Sequence, residues 1–99
     1  MEAIIKIENG ILHIAPSGRL DTVNSAELKS KVEAVNSNGC DIDIDFTGVE
    51  YISSAGLRLL VALQKQVNAS GNKMVVRNPN KVVKEIFAVA GFNKALTVI

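Results

Sequence analysis

The chain has 99 residues and a formal net charge of +1, with 47% apolar residues, 4% aromatic residues and no Trp. That fits one small domain over residues 1–99 with a core of Ile, Val, Leu and Ala. Scattered Lys and Arg give no dense basic stripe, so no direct nucleic-acid contact is expected. Cys40 is the only cysteine, which excludes an internal disulfide and fits a reducing cytoplasm. Met1 to Glu8 carries charges inside its apolar run, unlike a signal peptide, and no apolar stretch is long enough to cross a bilayer. The expected setting is cytoplasmic, without membrane insertion.

Ala3 to Glu8 reads as a strand, Asn9-Gly10 as a hairpin turn, and Ile11 to Ala15 as a second strand. Pro16-Ser17-Gly18 is expected to break that strand. A helix follows from about Ser25 to Val35, with Asn24 as N-cap and Glu27 three residues on, as in a capping box. Leu28, Val32 and Val35 form its apolar stripe, and Asn38-Gly39 ends it.

Cys40 to Phe46 alternates strictly, with Asp41, Asp43 and Asp45 on the polar face. Along a strand these carboxylates stand roughly 6.5–7 Å apart, too far for one metal ion. Lys73 and Arg77 on a neighbouring strand offer cross-strand partners instead. Thr47 to Ser53 reads as a loop. Ser54 to Ala69 is a helix with a wide apolar stripe (Leu57, Leu59, Leu60, Val61, Leu63, Val67), stopped by Gly71. Lys73 to Asn78 is a strand, Lys81 to Ala90 a helix behind Pro79, and Ala95 to Ile99 a last short strand. This alternation predicts an α/β fold with a mixed, mostly parallel sheet of about five strands, right-handed βα units, and helices mainly on one face.

The densest chemistry lies at Ser53-Ser54-Ala55-Gly56-Leu57-Arg58. Two hydroxyls stand where a chain leaves a strand and opens a helix, a place that tolerates negative charge. On residue chemistry alone, either serine could accept a phosphate, or the pair could simply cap the helix. Gly56 permits close approach of a partner or tight packing on the sheet. Arg58, one turn on, can pair with a phosphate or an acidic partner, or point into solvent. Asp21 and Thr22 follow the second strand and share an edge with Ser54 if the strands are parallel. The lone His13 lacks the Gly-x-Ser-x-Gly setting of a Ser-His-Asp hydrolase with Ser54 and Asp21. No Walker A loop or dinucleotide fingerprint is present, and no cofactor or metal is expected.

Two stretches together, Asp45-Phe46-Thr47-Gly48-Val49-Glu50-Tyr51-Ile52-Ser53-Ser54-Ala55-Gly56-Leu57-Arg58 and Gly18-Arg19-Leu20-Asp21-Thr22-Val23-Asn24-Ser25-Ala26-Glu27-Leu28, resemble STAS domains, specifically bacterial anti-sigma factor antagonists. The resemblance covers essentially the whole chain. It implies a non-enzymatic switch in transcription regulation. The protein would bind an anti-sigma factor with serine kinase activity, free a sigma factor, and be turned off by phosphorylation of Ser54, with a phosphatase resetting it. The docking face implied is Asp21, Thr22, Ser53, Gly56, Leu57 and Arg58. Ser53 stands where the family signature has Asp, which removes a carboxylate beside the acceptor. That departure keeps open a second reading, a non-switching STAS interaction module in a transport or sensory complex.

Overall fold

The computed structural model describes residues 1–35, 39–92 and 96–99. Its first strands, β1 (Ala3–Glu8) and β2 (Ile11–Leu20), pair antiparallel across Asn9-Gly10. Both turn residues take positive φ, 52° and 74°. That is the left-handed pair a two-residue hairpin needs, and Asn-Gly adopts it at little cost. There follow α1 (Thr22–Ala34), β3 (Asp41–Asp45), β4 (Gly48–Ile52), α2 (Ser54–Ala69), β5 (Met74–Arg77), α3 (Lys81–Val89) and β6 (Thr97–Val98). The sheet order is β1-β2-β3-β5-β6, with β4 joined to β2 alone. Every pairing after the hairpin is parallel. The result is a single small α/β domain with a mixed, mostly parallel sheet, of six strands rather than about five. Asn38 and Ala95, placed above at a helix stop and a strand start, lie outside the described residues.

Helices cover one face, as the alternation predicts. Leu12, Ile14, Ile42, Ile44, Met74 and Val76 point to that face and are buried. They join Leu28 and Val32 of α1, Leu60, Leu63 and Val67 of α2, and Val83 and Phe87 of α3 in one core. Phe46 and Phe87, both 0% exposed, sit with ring centroids 6.2 Å apart and tie α3 to the sheet.

The other face carries His13, Asp43, Asp45 and Arg77. Arg77 Nε donates to Asp43 Oδ1 at 2.6 Å, and His13 Nδ1 lies 3.8 Å from Asp43 Oδ2. The expected cross-strand pairing of Asp43 therefore forms, and the carboxylate holds Arg77 more firmly charged. Asp41 differs: it accepts the backbone N–H of Lys73 at 3.0 Å, not its ammonium.

Three boundaries differ from the sequence expectation. First, Pro16-Ser17-Gly18 does not break β2. Pairing with β3 ends at Ile14 and pairing with β4 begins at Ser17, so Pro16 falls between its two parallel partners, where its missing N–H costs no ladder bond on that side. Beyond Gly18 (φ 96°) the register with β4 shifts: Gly18 faces Val49 and Arg19 faces Tyr51, which leaves Glu50 of β4 as the extra residue. Second, the segment read as a loop from Thr47 to Ser53 contains β4. Third, α1 starts one turn early. Asp21, not Asn24, is its N-cap, accepting the Asn24 N–H on Oδ1 at 2.9 Å. Asn24 instead donates its amide to the Arg19 carbonyl at 2.8 Å. Glu27 makes no capping box: it pairs with the Met1 amino group at 2.9 Å and with Lys31 at 3.2 Å.

One contact fixes the entry to β4 and another its exit into α2. Asp45 Oδ1 accepts both the Thr47 hydroxyl (2.6 Å) and the Thr47 N–H (2.9 Å), closing the turn from β3 into β4. Gly56 lets the first turn of α2 press on the ends of β2 and β4. A Cβ there would lie 2.6 Å from Ile52 Cγ1 and 2.8 Å from the Leu20 carbonyl oxygen.

Ala normally exceeds Gly in a helix interior by about 1 kcal/mol. At Gly56 the clash with a backbone carbonyl outweighs that gain. Gly56→Ala is expected to lower the free energy of unfolding by about 1–3 kcal/mol, read from urea melts; an unchanged or raised stability would contradict the packing. The bonds from Thr47 favour the charged form of Asp45 and hold its pKa below the ordinary 3.8. A depressed folded pKa stabilises the fold above the unfolded value and loses that contribution as pH falls through the folded one. Asp45→Asn should therefore flatten the acid limb of the stability–pH profile below about pH 4, with the difference from wild type shrinking toward low pH.

Candidate functional site

β2 and β4 run parallel and end together, with Leu20 opposite Ile52. Each runs directly into a helix. Asp21 caps α1 and Ser53 caps α2, so Thr22 and Ser54 are the first helical residues of neighbouring helices. Asp21, Thr22, Ser53 and Ser54 thus lie at one edge of the sheet. The parallel relation that brings them together runs through β4, the strand the sequence reading took for a loop.

The two serines differ in chemistry. Ser53 is half-buried and its hydroxyl is engaged in both directions. It donates to the Leu20 carbonyl at 3.1 Å and accepts the Gly56 N–H at a long 3.4 Å. Its own N–H donates to the same Leu20 oxygen at 3.0 Å. Ser54 is exposed, at the positive end of α2 where the first N–H groups lack helical partners. Asp and Ser are both strong N-caps. A serine at position 53 therefore keeps the capping function that an aspartate would serve, while leaving out its charge.

The other residues singled out from the sequence divide by burial. Gly56 and Leu57 are buried; they shape the edge from beneath. Thr22 and Arg58 are exposed, and Asp21 is half-buried with Oδ1 held in its cap. His13 does not join Ser54 and Asp21. It lies on the open sheet face seven positions before Leu20, about 20 Å along a strand. The Ser-His-Asp arrangement is not assembled.

Two features at this edge escaped sequence reasoning. Arg19 and Tyr51 are register partners on β2 and β4, and the guanidinium carbon lies 4.5 Å from the ring centroid. Asn80 caps α3 by accepting the Val83 N–H at 2.8 Å, and its amide donates to the Val49 and Glu50 carbonyls, each at 3.1 Å. The only sequence signal for Asn80 was its place after Pro79, ahead of an apolar helix. A cleft of about 350 Å³ between α1, α2 and β3 contains Val32, Cys40, Leu63 and Val67, and none of its lining residues belongs to the edge. Among the described residues no helix is long and apolar enough to cross a membrane.

Comparison with known proteins identifies relatives in sequence and in fold. BtrV of Bordetella bronchiseptica, described as a candidate anti-sigma factor antagonist, is 28% identical over 85% of this chain and 73% of its own length. The anti-sigma-F factor antagonist RsfB of Mycobacterium tuberculosis is 30% identical over 63% of this chain, a match that spans about half (52%) of that protein. Among solved structures, the anti-sigma factor antagonist SpoIIAA in its unphosphorylated form superposes with a TM-score of 0.82 at 17% identity, over 99% of this chain and 88% of that one. Its phosphorylated form, from Bacillus, gives 0.75 at 16% identity over 99% and 91%. A family model described as "Mlab, STAS domain" matches residues 7–98, nearly the full length. The chain belongs to the STAS domain family.

Proposed function

We propose that this protein is an anti-sigma factor antagonist that works by partner switching in the cytoplasm, with Ser54 as the phosphoryl acceptor. The observation that carries the reading is the exposed Ser54 hydroxyl at the first turn of α2, beside Asp21 and Thr22 on the same sheet edge. Relatives named as anti-sigma factor antagonists, and a protein of the same fold known in phosphorylated and unphosphorylated forms, support it.

The unphosphorylated edge docks an anti-sigma factor with serine kinase activity, which then releases its sigma factor. Thr22, Ser54 and Arg58 meet the partner; Asp21, Ser53, Gly56 and Leu57 fix the shape beneath. In the transfer, Ser54 Oγ bonds to the γ-phosphorus of the partner's ATP, the bond to ADP breaks, and the hydroxyl proton passes to a base on the partner. Ser53 competes poorly, because its hydroxyl is committed to Leu20 and Gly56. The phosphoserine carries about −1.5 to −2 charge. The N-terminus of α2 tolerates that charge within the molecule. A fitted protein contact does not, since the dianion must be desolvated there. A loss of about 3 kcal/mol weakens binding roughly a hundredfold, enough to exchange partners. A phosphatase returns the protein to its binding form.

Incubation with the cognate kinase and ATP, followed by phosphopeptide mapping, should place one phosphate on Ser54. Ser54→Ala should stay bound to the kinase, and Ser54→Asp should bind at least tenfold more weakly. Phosphate on Ser53 would overturn the site. An unmodified protein that still bound stably would favour the non-switching interaction module. The cap is separable: Ser53→Ala should lose about 1 kcal/mol of stability, and Ser53→Asp should restore the acceptor for the Gly56 N–H but not the bond to the Leu20 carbonyl.

A further inference from the structure

The Arg19–Tyr51 pair is not explained by the fold. Both side chains are off the core: Arg19 is exposed and Tyr51 half-buried, while their chain neighbours Leu20 and Ile52 are fully buried. Arg19 forms no ion pair among the described residues, although Asp21 is two positions on and the exposed Glu50 precedes its register partner Tyr51. Arg77, on the same sheet, is by contrast tied to Asp43 at 2.6 Å.

The backbone under Arg19 is nevertheless held with care. The register shift between Gly18 and Arg19, where β4 carries Glu50 as an extra residue, puts Tyr51 directly opposite Arg19. The Asn24 amide fixes the Arg19 carbonyl at 2.8 Å, which ties the strand end to the first turn of α1. Tyr51 then stacks under the guanidinium at 4.5 Å. Stacking occupies one face of the planar group and leaves its in-plane N–H donors unspent. An arginine restrained in this way loses little rotamer freedom when a carboxylate arrives, and Arg and Tyr are the residue types that anchor protein interfaces.

We propose that Arg19, held by Tyr51, is a docking anchor that receives an acidic side chain of the anti-sigma factor, and that the interface extends from the Ser54 edge back along β2 and β4. The inference rests on the partner-switching reading and adds to it the sign of charge the partner must present. The pair lies next to Leu20 and Ile52, the last paired residues before that edge, so the surface is continuous with it. Complementary charge there also speeds encounter and rejects partners that present a basic residue.

The test is titration calorimetry of the unphosphorylated full chain against the kinase that modifies Ser54, at low and at moderate salt. Wild-type binding is the control for the underlying reading; its absence overturns that reading and this proposal together. With wild type bound, Arg19→Gln should weaken affinity about tenfold, and Arg19→Glu should weaken it further, by about a hundredfold. Tyr51→Leu should have a smaller effect, because the charge remains but its restraint is lost. The same variants should raise the KM for phosphorylation of Ser54 and leave kcat near wild type, since Arg19 does not touch the reacting atoms. Their thermal midpoints separate folding from docking, and Arg19→Gln decides the matter if Arg19→Glu does not fold. Wild-type affinity in folded Arg19→Gln, or equal losses for Gln and Glu, would overturn the anchor while leaving the Ser54 switch intact.

Discussion

The carbonyl oxygen of Leu20 is the point on which the rest of the edge depends. It accepts the Ser53 N–H at 3.0 Å and the Ser53 hydroxyl at 3.1 Å, which uses both acceptor sites of one oxygen. It also lies 2.8 Å from where a Cβ on residue 56 would stand. One atom at the end of β2 therefore fixes the end of β4, the cap of α2 and the approach of that helix to the sheet. The hydroxyl bond is part-buried and contributes about 0.5–1.5 kcal/mol beside the backbone bond to the same oxygen. That contribution, with the cap on Gly56, makes the Ser53 hydroxyl a structural group. Ser54, one residue on, bears none of this load and can change charge without disturbing the junction.

Much of the fold was legible because its signals are local. Asn9-Gly10 determines the hairpin, the alternation from Cys40 to Phe46 gives a strand with one polar face, and the apolar stripe of α2 marks a buried helix. The missed features depend on distant partners. Proline ordinarily ends a strand, and nothing within the sequence reveals that Pro16 falls where one parallel neighbour stops and the next begins. In β4 the buried residues Val49 and Ile52 are three apart, so the period-two signature of a strand is absent. Asp21, Thr22, Asn24 and Ser25 are all capping residue types, and only the course of β2 selects Asp21.

The candidate site was legible in its composition and not in its division of labour. The order of motifs in the sequence gathers Asp21, Thr22, Ser53, Ser54, Gly56, Leu57 and Arg58 into one region. Burial then sorts them: Gly56 and Leu57 face inward, while Thr22, Ser54 and Arg58 face outward. The serine at position 53 is informative in this light. A cap requires an acceptor oxygen and no charge, so replacing aspartate there preserves α2. What changes is the electrostatic setting of Ser54, which has no carboxylate immediately before it. Under the proposed switch, a dianion on Ser54 would meet less repulsion from its neighbour than it would beside an aspartate.

Charge is distributed unevenly over the two ends of the open sheet face. Near the middle, Asp43 engages Arg77 and lies beside His13, so those charges are answered within the molecule. Toward the Ser54 edge, Arg19 is stacked and oriented by Tyr51 but paired with no acid among the described residues. An internally paired cation contributes little to a partner, because its existing bond must first be broken. An oriented, unpaired one already carries part of the ordering cost of an interface. Arg19 stands one residue before Leu20, whose partner Ile52 precedes the Ser53-Ser54 junction. Under the proposed switch, a phosphate on Ser54 would add negative charge to the side from which an acidic partner would approach, so that modification and loss of docking would share one electrostatic cause.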